Sequence, residues 1–173
     1  MSFSIYDASA PLFVHALANM QAWLDKALAE GKDEKTLMEA RLAPDMRPFS
    51  SQIQLASDSA KGAIARLAGV EAPAMPDTEA SFAELKARCQ KTIDFIQSVA
   101  PAEFDGAETR PVQLRFPNGK GYQFVGQEYL TRFALPNFFF HVTTAYALLR
   151  AAGVGVGKPD YLAIGAPVDL PAA

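Results

Sequence analysis

Four segments of this chain repeat apolar side chains at three- and four-residue steps, and the connections between them are unequal. In the first, from about Ser4 to Glu30, Phe13, Leu17, Met20, Leu24 and Leu28 share one helical face. Gly31 supplies a stop. A short helical piece, around Lys35 to Leu42, ends before Pro44. The second long helix begins near Pro48, a residue suited to a first turn. Phe49, Ile53, Ala56, Ala60, Ile64 and Leu67 form its inward stripe, and Gly69 ends it. The third opens with Ser-Phe-Ala-Glu, where Ser81 and Glu84 have capping-box spacing. Its stripe is Phe82, Leu85, Cys89, Ile93 and Ile96, closed by Pro101. The fourth runs from about Gln127 to Ala152, with Phe138, Val142, Ala145 and Leu149 inward. Pro136 is expected to kink or interrupt it, because a proline lacks the amide hydrogen and its ring clashes with the preceding turn.

Between the third and fourth helices, Val112, Leu114 and Phe116 alternate with polar neighbours, and Asn118-Gly119 precedes Tyr122 and Phe124. That pattern predicts a small β-hairpin. The linker from Val70 to Ala80 carries the other topological information. A helix of ~20 residues spans about 30 Å, and an extended linker of this length reaches roughly 35–40 Å. It is long enough to cross the bundle and let helices two and three run parallel. Length alone leaves an antiparallel pair with a slack loop open. The expected fold class is all-α: one domain over 1–173, a four-helix up-down bundle with a long crossover between helices two and three and a hairpin before helix four. Residues 153–173 read as a C-terminal tail.

Half of the residues are hydrophobic and a fifth are charged, the balance of a globular chain. A net charge of −3 without a basic stripe excludes a polyanion partner, so no nucleic acid is expected. Cys89 is the single cysteine, which rules out an internal disulfide and any multi-thiolate metal site. The apolar start has no lysine or arginine before Lys26 and contains Asp7, unlike a signal peptide. The longest apolar run, Leu135 to Leu149, is broken by Asn137 and His141 and falls short of the ~20 residues of a membrane span. The reading is a soluble, cytoplasmic protein with no membrane partner.

Two histidines are candidates for chemistry. At about 100° per residue, His15 lies opposite the inward stripe of its helix and reads as exposed. His141 falls within about 60° of the inward centre of its helix and reads as partly buried. A metal shell needs three or more donors, and here the Glu-x-x-His and His-x-x-x-His patterns are absent. No metal or other cofactor is therefore expected; if one were bound, His141 and Asp58 would be the donors. A Cys89–His141 dyad would require matching heights on two helices, and buried cysteines usually act as small hydrophobes. A buried polar cluster fits better, with Asn137, Thr144, Tyr146, Gln52 and Gln54 available to the imidazole. The glycine-rich GVGVGKPD (153–160) has Ala152 and Pro159 where a P-loop requires Gly and Ser or Thr, and it follows a helix. It is read as a flexible exit from the last helix.

The stretches APDMRPFSSQIQLASDSAKGAIARLAG (43–69) and LPNFFFHVTTAYALLRAAGVGVGKPDYL (135–162) together resemble the family called domain of unknown function nineteen ninety-three, a branch of the DinB/YfiT-like superfamily. The resemblance implies a four-helix bundle with the crossover, and dimers are common in it. Many members of the wider superfamily hold a divalent metal on three histidines, one from helix two and two at i,i+4 on the last helix. Here only His141 matches. Ala145 stands at i+4, and helix two offers Gln52 and Gln54 instead of histidine.

The leading expectation is a non-metal, degenerate-site bundle that binds a small molecule or serves as a structural module, as a homodimer. Its pocket would be His141, Asn137, Tyr146, Gln52 and Gln54. The alternative is a divalent-metal-dependent transferase or hydrolase using His141 and oxygen donors such as Asp58. A third reading makes it an interaction partner with an apolar helix face buried between subunits. The residues assign no catalytic role.

Overall fold

The computed structural model describes residues 3–116, 118–166 and 168. Four long helices form the bundle: α1 (Ala10–Ala29), α3 (Phe49–Ala68), α4 (Phe82–Ser98) and α6 (Leu135–Ala151). A short α2 (Glu34–Glu39) lies in the first connection. The hairpin pairs β1 (Pro111–Arg115) with β2 (Gly121–Val125), antiparallel, with Val112 opposite Phe124 and Leu114 opposite Tyr122. A single-turn α5 (Gly126–Tyr129) follows it, and α7 (Lys158–Leu162) closes the described chain.

The stripes expected in α3, α4 and α6 are all buried, from Phe49 through Leu67, Phe82 through Ile96 and Phe138 through Leu149. In α1 the expected stripe fails at its end. Leu28 is 44% exposed, because Ala27, two turns after Met20, takes the inward position instead. Helix α1 also starts at Ala10 rather than Ser4, with Pro11 in its first turn. Before it, Ser4 and Asp7 cap one another in a separate turn.

Contacts along the helices settle the direction of the crossover. Phe49 and Phe82, both at helix N-termini, have ring centroids 5.8 Å apart, and Ser57 meets Thr92 at 2.7 Å. Helices α3 and α4 are therefore parallel. By contrast, Gln52 meets His141 and Ser59 meets Asn137, so α3 and α6 are antiparallel. Phe13 against Phe138 and Trp23 against Tyr146 make α1 and α6 parallel. The order is up-down-down-up, with α3 packed on both α4 and α6. Ala56, Ala60 and Ala63 keep α3 slim enough for two close neighbours.

The last helix is interrupted as Pro136 required, one turn ahead of the proline. Leu130–Ala134 is π-helical and links α5 to α6. The wider turn accommodates a proline that has no amide hydrogen to give to the Arg132 carbonyl. Gly126, which opens this unit, sits against the Ala107 carbonyl, where any side chain would collide.

The segment after α6 is folded down, in contrast to the flexible exit expected from its glycines. Val154 and Val156 are buried. Asp160 accepts from the Gly157 amide at 2.6 Å and pairs with Lys26 at 3.1 Å. Trp23, Asn19 and His15 donate to the carbonyls of Asp160, Tyr161 and Leu162. The Tyr161 ring stacks on Trp23. Gly-Lys-Pro-Asp-Tyr is thus a docking motif for α1.

The crossover itself is held by Arg88, whose side chain is 2% exposed. It donates hydrogen bonds to Ser57 Oγ, the Pro76 carbonyl, Glu79 and Asp58, and forms an ion pair with Asp77 at 3.0 Å. Burial alone would raise the Glu79 carboxyl, but hydrogen bonds from Gln54 and Arg88 outweigh it and hold the group below its usual range. Arg88→Met would leave the buried Glu79 without its cation, a change that costs about 3 kcal/mol at the lower end for a buried pair. Denaturant unfolding should show that loss, and limited proteolysis should cut between Val70 and Ala80 in the variant before it cuts elsewhere.

Candidate functional site

His141 lies on α6, half-buried, and faces α3. Its partner is Gln52, 2% exposed. The geometry assigns the protons. The Gln52 amide nitrogen donates to the Arg47 carbonyl at 3.0 Å, so its oxygen turns to His141. That oxygen accepts from Nδ1 at 2.9 Å. The imidazole is thereby held as the Nδ1–H tautomer, with the Nε2 lone pair left over. No buried side-chain nitrogen or oxygen among the described residues lacks a partner, and Nε2 has none, so it reaches solvent. Burial pushes the His141 pKa below its usual 6.5 and favours the neutral ring.

The other residues expected around His141 are placed in four different surroundings. Asn137, one turn earlier on α6, donates to Ser59 Oγ at 2.7 Å. Gln54 turns toward α4, where it donates to Glu79 at 2.9 Å within the Arg88 cluster. Tyr146 packs edge-on against Trp23 and Tyr161 on the α1 side. Thr144 returns its hydroxyl to the Phe140 carbonyl. Of the five residues expected to form the pocket, only His141 and Gln52 are hydrogen-bonded to each other. Gln52 and Ser59 are seven residues apart, so they share a face of α3 and form two rungs along the seam with α6.

A family model described as "Domain of unknown function (DUF1993)" matches residues 5–162. The chain belongs to this family. A crystal structure of a DinB family member from Shewanella denitrificans is similar to it, with 36% sequence identity, 96% of each chain covered and a TM-score of 0.85. No curated protein matches. The DUF1993 chain is thus a DinB-like bundle.

The divalent metal of the wider superfamily does not fit the residues of this DUF1993 protein. Near His141 the i+4 position is Ala145, and Gln52 is spent on Nδ1. The Asp58 carboxylate is engaged by Arg88 at 2.9 Å and Lys61 at 2.8 Å. Among the described residues, no group of three or more His, Cys, Asp or Glu side chains is arranged around one point. Cys89 is fully enclosed, and burial pushes its thiol up to about 12, too high for a thiolate at neutral pH.

Two cavities flank α3 and α4. One of about 540 Å³ lies between the crossover and α4, with Met75, Arg88 and Phe95 among its walls. Its most buried charges, Arg88 and Glu79, are spent on each other. The other, about 220 Å³, lies beneath the hairpin and includes Asn137 and Ser59. The signal for both was weak in sequence. Arg88 sits next to Cys89 on an inward stripe, a position where an arginine must carry its own counter-charges.

Because the folded His141 pKa is depressed, the unfolded chain binds the proton more tightly below about pH 6.5. The contribution of His141 to stability is therefore complete above that pH. It is lost as pH falls toward the folded value, and is constant below it. If Gln preserves the contact with α3, unfolding curves of wild type and His141→Gln should coincide near pH 7.5 and separate toward pH 5, with wild type the less stable.

Proposed function

We propose that this protein is a small-molecule-binding bundle that works without a resident metal, and that His141 Nε2 is a contact atom for its ligand. The relay from the Arg47 carbonyl through Gln52 to Nδ1 carries this reading. It spends a buried glutamine on fixing one tautomer of a half-buried ring, which a merely space-filling histidine does not need. The atom so presented is a hydrogen-bond acceptor at neutral pH, suited to a hydroxyl or N–H of a ligand.

The reading has direct tests. Nitrogen NMR of the histidines should show His141 as the neutral Nδ1–H tautomer at pH 7, and Gln52→Leu should abolish that preference. In a fragment screen by ligand-observed NMR, uncharged hydroxyl- and amine-bearing fragments that bind wild type and perturb the His141 resonances should lose binding in His141→Ala while the fold persists. Stoichiometric transition metal in untagged protein, or a thermal shift on adding zinc, manganese, nickel or iron, would favour the metal-dependent transferase or hydrolase instead.

A homodimer is part of the same proposal. Phe140 is 55% exposed on α6 beside His141, an apolar surface that a second copy would cover. Light scattering at micromolar concentration should give twice the chain mass, and Phe140→Asp should halve it.

A further inference from the structure

The cavity of about 220 Å³ beneath the hairpin differs from the rest of the molecule in charge and in walls. The chain as a whole is acidic, yet this cavity is lined by two arginines, Arg66 from α3 and Arg115 from β1. The one acid on its wall, Asp58, is already held by Arg88 and Lys61. Among the described residues no carboxylate pairs with either arginine. Arg66 gives one N–H to the Tyr129 hydroxyl at 3.3 Å, and Arg115 gives one to Gln113 at 2.8 Å. Most of the five donors on each guanidinium are therefore uncommitted, a state that complements an anion with two oxygens.

The walls say what the anion is attached to. Tyr129 and Phe133 stack at 6.0 Å with an interplanar angle of 17°, and Phe116 of the hairpin contributes a third ring. Phe133 lies in the π-helical stretch, so the irregular turn that accommodates Pro136 also sets this wall. Single π-helical turns often occur at functional sites. Burial pushes the Tyr129 phenol up, so it stays neutral and does not cancel the Arg66 charge. Gly62 leaves room for Arg66: a methyl group there would stand 2.5 Å from its guanidinium nitrogen.

A polar floor completes the site. Ser59 Oγ donates to the Leu55 carbonyl at 2.6 Å, so it must accept from Asn137, which fixes the Asn137 amide. The Asn137 carbonyl oxygen and its second amide hydrogen are then free for a ligand. The volume is below the roughly 300–1,000 Å³ of sites for drug-sized molecules. It accommodates one ring with a short substituent and excludes a nucleotide.

The geometry points to a binding site for a small aromatic carboxylate, its ring against Phe133 and Phe116 beside Tyr129, its carboxylate on Arg66, a ring substituent on Asn137, and Arg115 adding positive charge at the rim, where it stands with Gln113 on the outer side of β1. His141 does not line this cavity, so the inference stands apart from the role of the imidazole.

Titration of the full chain with benzoate and 4-hydroxybenzoate, followed by calorimetry and amide NMR, tests it. Saturable binding is expected, with 4-hydroxybenzoate tighter and with shifts clustered at Ser59, Arg66, Phe133 and Asn137. Arg66→Gln should weaken binding about tenfold and Arg115→Gln, at the rim, by less, with amide NMR showing the fold retained in both. Gly62→Ala should weaken it by displacing Arg66, and the uncharged benzamide should not compete. His141→Gln should bind benzoate as wild type does, whatever its effect on other fragments. Absence of saturable binding, binding indifferent to both arginine variants, or shifts confined to the crossover cavity would overturn the assignment.

Discussion

The structure depends on one guanidinium. Two parallel helices in a bundle need a connection as long as the bundle itself, and such a strap pays a large conformational cost unless something pins it. Arg88 does so by hydrogen bonds to α3 and to the strap and by an ion pair with Asp77. Its burial is tolerable because the surrounding acids keep it charged: burial alone would lower its pKa, and the bonds to Glu79, Asp58 and Asp77 reverse that. The same cluster recruits Gln54 and Asp58, two residues that a site at His141 would otherwise use.

With α3 oriented in this way, its opposite face meets α6 antiparallel. That seam carries the polar groups of interest in two rungs, Gln52 with His141 and Ser59 with Asn137. The lower rung opens into the arginine-lined cavity because the π-helical turn before Pro136 widens the start of the helix. A fold-level constraint, accommodation of a proline, and a site-level one, placement of Phe133, are thus met by the same five residues.

Much of this was legible in the chain and some was not. The stripes of α3, α4 and α6 and the presence of the hairpin follow from local angles and turn chemistry, so periodicity finds them. The half-burial of His141 follows for the same reason. Leu28 escaped because a stripe drifts by tens of degrees over several turns, enough for Ala27 to replace it. The glycines after α6 suggested slack, yet Asp160 and Tyr161 dock that segment on Trp23. Their partners lie more than a hundred residues away, where no local pattern can register them.

By itself the sequence determined which residues face inward, where the helices stop, that helix two could run parallel to helix three, and that a complete three-histidine metal site is absent. Only the tertiary structure decided which partner each inward polar group meets. Gln52 and Gln54 illustrate the difference. They are two residues apart, hence about 200° around the helix, and pairing with α6 on one side and the Arg88 cluster on the other sends them to separate tasks. Helical period sets the azimuth of a side chain on its own helix. The identity and height of the neighbouring helix are set by packing across the whole bundle, and so is the chemistry that the side chain can perform.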